Sequence, residues 1–244
     1  MLNKFDRRTF LKLTGAAALI PASALDAFAQ GVSGPLRIAT IGAGNIGGGL
    51  GKLWVKAGHS VFFSSLNPDE LKPMVAELGP LARAGTTAQA IPNGDVILLA
   101  VPYRAIPGLG KEFAEALKGK IIIDTCNATP ARDGEELAAM SKQKPIGVLT
   151  ASYFPGARMV RGFNSIGAKI LQENAGRSGD KLPIPIASDD KAAADVVARL
   201  TRDAGFEPVM AGPLVKSGEF SMGNPGYGVH ANAAALKKIL GVAE

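Results

Sequence analysis

The most constraining feature of the sequence is a glycine-rich turn between an apolar strand and an amphipathic helix. A strand is predicted over Leu36–Ile41, and the next residues, Gly42-Ala43-Gly44-Asn45-Ile46-Gly47, form a G-x-G-x-x-G motif. Apolar residues then recur at helical spacing from Ile46 to Ala57. In this context the motif is typical of dinucleotide-binding βαβ units, because the helix N-terminus presents free N–H groups to a pyrophosphate.

Each glycine of the motif has a separate expected role. Gly42 would make the tight turn, and Gly44 would let the pyrophosphate approach bare backbone. Gly47 would let the helix pack closely against the strand. These roles predict a dinucleotide site at the turn.

The end of the second strand bears on the choice between NADP and NAD. Enzymes that use NAD usually carry Asp or Glu there, about 20 residues after the glycines, to bind the ribose 2′-OH. Here the chain reads Phe63-Ser64-Ser65-Leu66-Asn67, with no carboxylate before Asp69. Two hydroxyls and an amide would tolerate a 2′-phosphate, so NADP is favoured over NAD.

Apolar runs alternate with helical stretches through most of the chain. Several runs are nearly continuous Val, Ile and Leu, as expected for parallel strands covered on both faces. The predicted strands are Leu36–Ile41, Ser60–Phe63, Asp95–Val101, Lys120–Ile123, Met159–Phe163, Leu182–Ala187 and Phe206–Met210. The pattern predicts an α/β fold with a Rossmann-type, doubly wound, mostly parallel sheet.

The second half of the sequence is less regular, because prolines divide it into short pieces. We expect a dinucleotide-binding domain over residues 30–145 and a smaller C-terminal α/β part over 146–244 that completes an acceptor crevice. A late helix carries Ala193, Val197 and Leu200 on one face, with Ser188 placed to cap its start. The polar stretch Lys216–His230 is expected to be a surface loop.

Residues 1–29 have the pattern of a secretory signal. Arg7-Arg8 precede Phe10-Leu11-Lys12, a short apolar stretch follows, and Ala27-Phe28-Ala29 supplies small residues for cleavage. The paired arginines resemble the twin-arginine signal, which implies export in folded form by the twin-arginine machinery to the periplasm or another extracytoplasmic space. The apolar stretch is too short for a stable membrane anchor.

Composition excludes several classes of protein. One cysteine (Cys126) and two histidines among 244 residues rule out a disulfide scaffold and give no reason to expect a metal site. Residues 1–29 hold four of the 27 basic and two of the 21 acidic residues, which leaves a net charge of +4. That charge forms no basic runs, so nucleic-acid binding is not expected. P-loop and G-x-S-x-G motifs are absent from the sequence.

Several segments together resemble one family, the NADP oxidoreductases that use the deazaflavin coenzyme F420. The resemblance lies in the glycine turn, the Ser64-Ser65 pair and four further segments: Leu99–Pro102, Ile123–Asn127, Arg161–Ser165 and Gly205–Val209. The fold is also similar to the cytosolic domain of membrane ferric reductases. Family members usually carry arginine where this chain has Leu66, and the stretch Ser221–Gly228 is only loosely like theirs.

The resemblance implies roles for individual residues. Gly42 to Gly47 would hold the pyrophosphate, while Ser64 and Ser65, with Asn67 beside them, would hold the 2′-phosphate. Nicotinamide would be lined by Val101, Pro102 and Tyr103, with Thr125 and Asn127 across the crevice. Phe163 and Asn164 would face the second substrate, and Tyr227 is a candidate for contact with a ring.

The expected activity is hydride transfer between NADPH and a small-molecule electron acceptor, a flavin or coenzyme F420. Such a reaction needs two rings held at reacting distance more than it needs an acid or base, so no residue is assigned as catalytic. Two alternatives stay open: an NADP-dependent reductase of a small imine or carbonyl compound, and a non-catalytic nucleotide-binding module. Pyrroline-carboxylate reductases begin similarly, but the 100 residues after 145 show no counterpart of their long helical dimerisation domain. A homodimer is also open.

Overall fold

The computed structural model describes residues 34–243, which contain one eight-stranded sheet. The predicted signal segment, residues 1–29, lies outside the described residues. The strands are β1 (Arg37–Ile41), β2 (Ser60–Ser64), β3 (Ala82–Gly85), β4 (Val96–Leu99), β5 (Ile121–Asp124), β6 (Arg158–Arg161), β7 (Pro183–Ala187) and β8 (Glu207–Gly212).

Helices connect most of the strands. They are α1 (Asn45–Lys56), α2 (Lys72–Leu78), α3 (Thr87–Ala90), α4 (Ile106–Leu117), α5 (Pro130–Asp133), α6 (Glu135–Gln143), α7 (Ile146–Ser152), α8 (Ala168–Asn174), α9 (Lys191–Asp203) and α10 (Ala233–Leu240). Four 3₁₀ turns cover Pro68–Leu71, Ile91–Asn93, Tyr103–Ala105 and Leu214–Phe220.

The strand order confirms the predicted Rossmann-type α/β fold. It runs β3-β2-β1-β4-β5-β6-β7-β8, and the strands from β3 to β6 pair in parallel. β7 is antiparallel to β6, and β8 is parallel to β7. The chain reverses its direction of growth between β1 and β4, and ligands bind at such a switch point, beyond the carboxyl ends of the strands. The same sheet runs through both predicted parts, and the boundary at 145 stays a prediction.

The central strands are buried on both faces, as their continuous apolar sequences predict. β4 (Val-Ile-Leu-Leu) and β5 (Ile-Ile-Ile-Asp) have every residue buried. One helix on the sheet is fixed by a polar contact as well: the indole Nε1 of Trp54 on α1 donates to the carbonyl of Leu200 on α9 at 2.8 Å. The buried indole therefore packs with its polar atom satisfied.

Four details differ from the sequence predictions. β3 was missed, because its Ala-Arg-Ala-Gly sequence lacks the apolar run of an inner strand and it lies at an edge of the sheet. α9 is capped by Asp190, whose carboxylate accepts from the Ala193 N–H at 2.9 Å, and not by Ser188. The Ser188 hydroxyl instead donates to the Met159 carbonyl.

The predicted tail loop and the role of His59 also need correction. Leu214–Phe220 is a 3₁₀ turn with Ser217 and Phe220 fully buried, so the stretch Lys216–His230 is not a surface loop throughout. From the sequence, His59 precedes the second strand and is predicted to cap the Ala57-Gly58 turn. Its buried ring accepts from the Leu36 N–H through Nδ1 and pairs with Asp203 through Nε2, each at 3.0 Å.

A buried ion pair joins β5 to β6 at their carboxyl ends. The Nη1 atom of Arg161 lies 2.7 Å from Oδ2 of Asp124, and both side chains are 0% exposed. The same guanidinium donates to the Cys126 carbonyl at 2.6 Å and to Asn127 Oδ1 at 2.8 Å. Because a buried charge is costly unless it is paired and hydrogen-bonded, these contacts fix the loop after β5.

Within residues 34–243, no helix is long and apolar enough to cross a membrane. In the same part of the chain, no group of three or more His, Cys, Asp or Glu side chains is placed to hold a metal ion.

We predict that breaking the buried pair destabilises the protein far more than breaking an exposed one. Asp124→Asn leaves Arg161 without its counter-charge and should lower the free energy of unfolding by about 3 kcal/mol or more. Urea denaturation followed by circular dichroism measures this change.

The matched control is Asp95→Asn, because the Arg37–Asp95 pair has side chains 59% and 30% exposed. Its loss should cost less than about 1 kcal/mol. Equal effects of the two substitutions on the free energy of unfolding would show that the buried pair stabilises the protein no more than the exposed pair does.

Candidate functional site

The glycine turn has the geometry that its spacing predicts. Gly42 has a φ of +91°, and a Cβ there would lie 2.4 Å from the Ala100 carbonyl oxygen. A Cβ on Gly47 would lie 1.9 Å from the Gly42 carbonyl oxygen, so only glycine lets α1 come this close to the turn. Gly44 differs from both: its Cβ position is open, with no protein atom within 4 Å. The space beside Gly44 is therefore free for a ligand.

The first turn of α1 favours an anion. Gly44 is its N-cap and offers no side-chain cap, and the first turn holds no acidic residue. The first N–H groups of the helix therefore have no capping side chain, and the helix dipole is positive at this end. Together with the open position at Gly44, this turn fits a pyrophosphate group.

A crevice of about 480 Å³ lies at the switch point, between the carboxyl ends of the central strands. It brings together nine residues predicted for the site: Asn45, Ile46, Val101, Pro102, Thr125, Asn127, Phe163, Asn164 and Tyr227. They come from five separate parts of the sequence, so the fold gathers them. Ala43 and Gly44 line a neighbouring cavity of about 510 Å³ along α1, together with Asn45, Lys52 and Gln172.

The structure does not place Tyr103 on the nicotinamide side of the crevice. Its side chain is fully buried in the core beneath β4, and its hydroxyl lies 3.2 Å from the Thr150 hydroxyl. Burial raises the pKa of this phenol well above its usual value. Tyr103 follows Pro102 in a 3₁₀ turn, whose curvature directs the side chain inward and leaves Val101 and Pro102 at the crevice.

Phe163 contributes to the crevice wall, but its ring packs in the core. The ring makes edge-to-face contacts with Trp54 and Phe206, at centroid distances of 6.2 and 6.1 Å. The residue is 1% exposed. The prediction that its ring faces a second substrate is therefore wrong. Its φ of 59° is unusual for a bulky residue and turns the chain sharply before Asn164.

The two serines after β2 have different environments. Ser64 is fully buried, and its hydroxyl donates to the Thr40 carbonyl at 2.7 Å. Its proton is therefore not available to a 2′-phosphate, and the role predicted for Ser64 is wrong. Ser65 is half-buried, and its oxygen accepts from the Asn67 N–H at 3.2 Å, which leaves the hydroxyl proton free. The Asn67 amide donates to Glu70. Leu66 is 99% exposed beside them.

Asn127 and Asn164 join the loops after β5 and β6. The Asn127 amide donates to the Asn164 carbonyl at 2.8 Å and accepts from Arg161 at 2.8 Å. Asn164 donates in turn to the Phe220 carbonyl at 3.1 Å. The amide oxygen of Asn164 is buried and has no hydrogen-bond partner among the described residues. A ligand N–H is one group that would satisfy it.

Thr125 and Cys126 line the crevice without reactive protons. The Thr125 hydroxyl donates to the Leu99 carbonyl at 3.0 Å. The Cys126 thiol is buried against the same carbonyl, at 3.3 Å. Burial, aided by the nearby Asp124 carboxylate, raises the pKa of the thiol far above its usual value. Since the thiolate is the reactive form, Cys126 behaves as a buried apolar residue.

Sequence reasoning missed Arg132, which also lines the crevice. Its guanidinium contacts the Asn127 carbonyl and pairs with the Asp133 carboxylate at 2.9 Å. Although burial of Asp133 favours its neutral form, hydrogen bonds from Arg132 and from the N–H groups of Thr129 and Arg104 outweigh that effect and lower its pKa. The sequence feature that could have indicated Arg132 is its position, as a basic residue five positions after Asn127 in the segment that follows β5.

One part of the chain matches a known protein family. Residues 37–128 match the model of the family described as NADP oxidoreductase, coenzyme F420-dependent. The matched segment is less than half of the chain. It runs from β1 to the loop after β5, so it includes the glycine turn and the Val101–Pro102 and Thr125–Asn127 walls of the crevice. The resemblance proposed from the sequence motifs is confirmed over this range.

Solved structures share the fold over most of the chain. A hypothetical protein from Sinorhizobium meliloti is 25% identical, with a TM-score of 0.71, over 81% of this chain and 95% of its own. A protein from Arthrobacter sp. FB24, named as an F420-dependent NADP reductase, is 20% identical, with a TM-score of 0.61, over 75% and 87%.

More distant structures extend the fold to other reductases. An imine reductase from Myxococcus stipitatus, in complex with NAD⁺, is 17% identical, with a TM-score of 0.55, over 85% of this chain. The match covers only 60% of the imine reductase itself. A search of curated proteins returned no match to the sequence.

We predict that Gly44→Ala weakens nucleotide binding without unfolding the protein. Its φ of −74° suits alanine and the Cβ position is open, so the melting temperature should stay within a few degrees. The added methyl would occupy the space through which a pyrophosphate reaches the backbone, and NADPH affinity should fall at least about tenfold. Isothermal titration calorimetry with NADPH measures the change.

Gly108→Ala is the matched control. Gly108 lies in α4, is exposed, and has no atom within 4 Å of its Cβ position. NADPH should bind this variant as it binds the parent. Unchanged binding by Gly44→Ala would show that the nucleotide does not use the turn.

Proposed function

We propose that the chain is an NADP(H)-dependent oxidoreductase that transfers hydride between NADPH and a flavin or deazaflavin acceptor such as coenzyme F420. The observation that carries the proposal is the crevice: a segment that matches the F420-dependent NADP oxidoreductase family model places an open glycine turn beside a cavity at the switch point. The Arthrobacter neighbour, named for the same chemistry, supports the proposal.

The residues of the crevice suit a reaction that depends on positioning. Nicotinamide, when bound, supplies or receives the hydride. Val101 and Pro102 offer an apolar wall for a flat ring, and the free amide oxygen of Asn164 offers an acceptor for a ring carboxamide. Buried hydrogen bonds hold Asn127 and Asn164 in place before any ligand arrives. Such preorganisation favours reaction between two bound rings, a proximity effect worth several kcal/mol.

Preference for NADPH would come from the surface after β2. Ser65 offers a free hydroxyl proton, and no carboxylate lies before Asp69, which is itself paired with Lys72 at 2.7 Å. Leu66 adds no charge and is almost completely exposed. The site therefore accepts a 2′-phosphate but holds it with few charged contacts, so the preference over NADH is expected to be modest.

Leu66→Arg tests this account of nucleotide preference. A guanidinium at this exposed position can pair with the 2′-phosphate, so NADPH should bind about tenfold more tightly, a gain of about 1.4 kcal/mol, while NADH affinity stays unchanged. Titration calorimetry with each nucleotide measures both affinities.

Val215→Arg is the control, because Val215 is 56% exposed on the 3₁₀ turn Leu214–Phe220, which lines neither cavity beside the glycine turn. It adds the same charge and should change neither affinity. If Leu66→Arg tightens NADH as much as NADPH, the 2′-phosphate does not bind next to this residue.

A second candidate function is reduction of a small imine or carbonyl compound. Tyr227 favours it, because its phenol lines the crevice and is a possible proton donor of the kind such a reduction needs. The shared fold of the NAD⁺-bound imine reductase is consistent with it. The third reading, a nucleotide-binding module without catalysis, would show binding without turnover on any acceptor.

Tyr227→Phe separates the two enzyme functions. If the phenol only contacts a ring, NADPH oxidation by FMN or coenzyme F420 should fall no more than a few-fold. If it donates a proton to an imine or carbonyl substrate, the turnover number should fall about 100-fold or more. The assay follows NADPH absorbance with FMN, coenzyme F420 and a cyclic imine.

Tyr153→Phe serves as the control for loss of a tyrosine hydroxyl, since Tyr153 does not line the crevice. The proposed flavin or deazaflavin chemistry would be overturned if the parent protein oxidised NADPH with the imine alone.

We further propose that the protein is exported in folded form by the twin-arginine route to the periplasm or an equivalent compartment. Support comes from the Arg7-Arg8 pair, the short apolar stretch and the Ala27-Phe28-Ala29 end of the segment. The double substitution Arg7→Lys and Arg8→Lys keeps the charge but removes the arginine pair, and the protein should then stay in the cytoplasmic fraction.

Cell fractionation and immunoblotting of the full chain measure the distribution. Lys12→Arg, which alters a basic residue outside the pair, should leave export intact. Undiminished export of the double variant would mean that the arginine pair is not the signal.

A further inference from the structure

A second cleft, which we call the side cleft, adjoins the crevice. It has a volume of about 570 Å³ and lies between residues 127–130, helix α6 with the start of α7, and residues 218–224. Asn127 lines both the side cleft and the crevice, so the two cavities meet at this residue. None of the residues of the glycine turn lines the side cleft, so the proposed nucleotide site does not account for it.

The wall between the two cavities is rigid. Asn127 is fixed through its amide by Arg161 and by the Asn164 carbonyl, each at 2.8 Å. Asp133 accepts from the Thr129 N–H at 2.9 Å and so holds the loop after Asn127. A ligand that extends from the crevice into the side cleft would therefore pass over a preformed edge and not displace a mobile loop.

The charge of the lining side chains is entirely positive. Lys142 lines the side cleft and Arg132 lines the crevice, and neither cavity is lined by an aspartate or a glutamate. Lys142 makes no ion pair or hydrogen bond with any residue of the described chain. Arg132 is partly neutralised by the buried Asp133 beneath it. Lys142 is thus the uncompensated charge.

The remaining charged groups nearby do not offset Lys142. Glu219, on the 3₁₀ turn opposite, is paired with Lys216, and neither residue lines the side cleft. Glu135 and Glu136 stand at the start of α6, about two helical turns from Lys142. The side cleft is therefore suited to an anionic group.

The polar lining also favours a group that accepts hydrogen bonds from Lys142. The hydroxyls of Ser141 and Ser221 already donate to the carbonyls of Ala138 and Ser217, each at 2.8 Å. Apolar atoms of Pro145, Ile146 and the half-exposed Met222 cover much of the rest. A carbon chain that ends in a phosphate matches this combination of an apolar wall and one free cation.

We propose that the side cleft binds the phosphate-bearing side chain of the electron acceptor while its ring occupies the crevice. The inference rests on the proposed function, because it takes the acceptor to be a flavin or deazaflavin. It adds a selection rule: a ring compound with a phosphate on its side chain binds better than the same ring without one. The phosphate is a monoester in FMN and a diester in coenzyme F420, and both are anionic.

The test compares acceptors with and without the phosphate-bearing part of the side chain. The full-length protein is saturated with NADP⁺, which cannot reduce the acceptor, and is titrated with FMN and riboflavin, and with coenzyme F420 and its phosphate-free deazaflavin chromophore, by fluorescence quenching. The phosphorylated member of each pair should bind more tightly, and the difference should shrink at high salt. Lys142→Gln should weaken FMN binding about fivefold and leave riboflavin unchanged.

Lys144→Gln is the matched control, since Lys144 is exposed two residues away and does not line the side cleft. It should leave both affinities unchanged. The FMN and riboflavin pair decides the assignment to a phosphate, because coenzyme F420 differs from its chromophore by carboxylates as well as by the phosphate.

The proposal is overturned if FMN and riboflavin bind equally, if none of the four compounds binds, or if Lys142→Gln weakens FMN and riboflavin binding alike. Turnover is measured separately, so the two failures can be told apart. NADPH oxidation by riboflavin and FMN at equal affinity would leave the oxidoreductase standing without the side-cleft site. Preferential FMN binding without NADPH oxidation would leave the site and remove the proposed activity.

Discussion

The buried guanidinium of Arg161 is the constraint on which the crevice depends. A charge without solvent must be matched within the protein, and here it is matched by the Asp124 carboxylate, the Cys126 carbonyl and the Asn127 amide. These three partners are consecutive or nearly so, and they form the loop that leaves β5. The loop therefore has one conformation that satisfies the charge, and that conformation presents Thr125 and Asn127 to the crevice.

The two sides of β6 are held differently. β6 is parallel to β5 over four residue pairs, but it is antiparallel to β7 and pairs with it only at Arg161 and Ala187. On the β5 side, the buried Arg161–Asp124 pair reinforces the ladder. On the β7 side, the Ser188 hydroxyl donates to the Met159 carbonyl at 2.7 Å and Arg158 pairs with Asp190 at 2.6 Å, and these contacts supplement the short ladder.

The sequence predicted the strands well where burial leaves a continuous apolar run, as in β4 and β5. It missed β3, because an edge strand needs no such run. The glycine turn could also be predicted, because a side chain at Gly42 or Gly47 would clash with a backbone carbonyl oxygen in any sequence that forms this turn. Eight of the nine predicted residues in the crevice follow β1, β4, β5 or β6, whose carboxyl ends share one edge of the sheet. The ninth, Tyr227, lies beyond the 3₁₀ turn that follows β8.

Side-chain direction was less predictable than position. Ser64 and Ser65 are neighbours, yet their hydroxyls lie in different environments. Ser64 is the last residue of β2 and its hydroxyl donates to the Thr40 carbonyl on β1, whereas Ser65 begins the loop after β2 and is half-buried. Tyr103 directly follows Val101 and Pro102, which line the crevice, but the 3₁₀ turn after Pro102 buries its side chain. Arg132 was missed because its place depends on how the loop after β5 folds back over Asn127.

Phe163 connects the core to the crevice. A left-handed backbone at a bulky residue costs about 1–3 kcal/mol, and it persists only where surrounding contacts determine it. Trp54 and Phe206 provide those contacts by holding the ring between them, and Trp54 is itself fixed to the Leu200 carbonyl. With the ring held in the core, the backbone must turn at Phe163, and the turn brings Asn164 to the crevice wall. The placement of Asn164 is therefore set by aromatic packing as well as by its own hydrogen bonds.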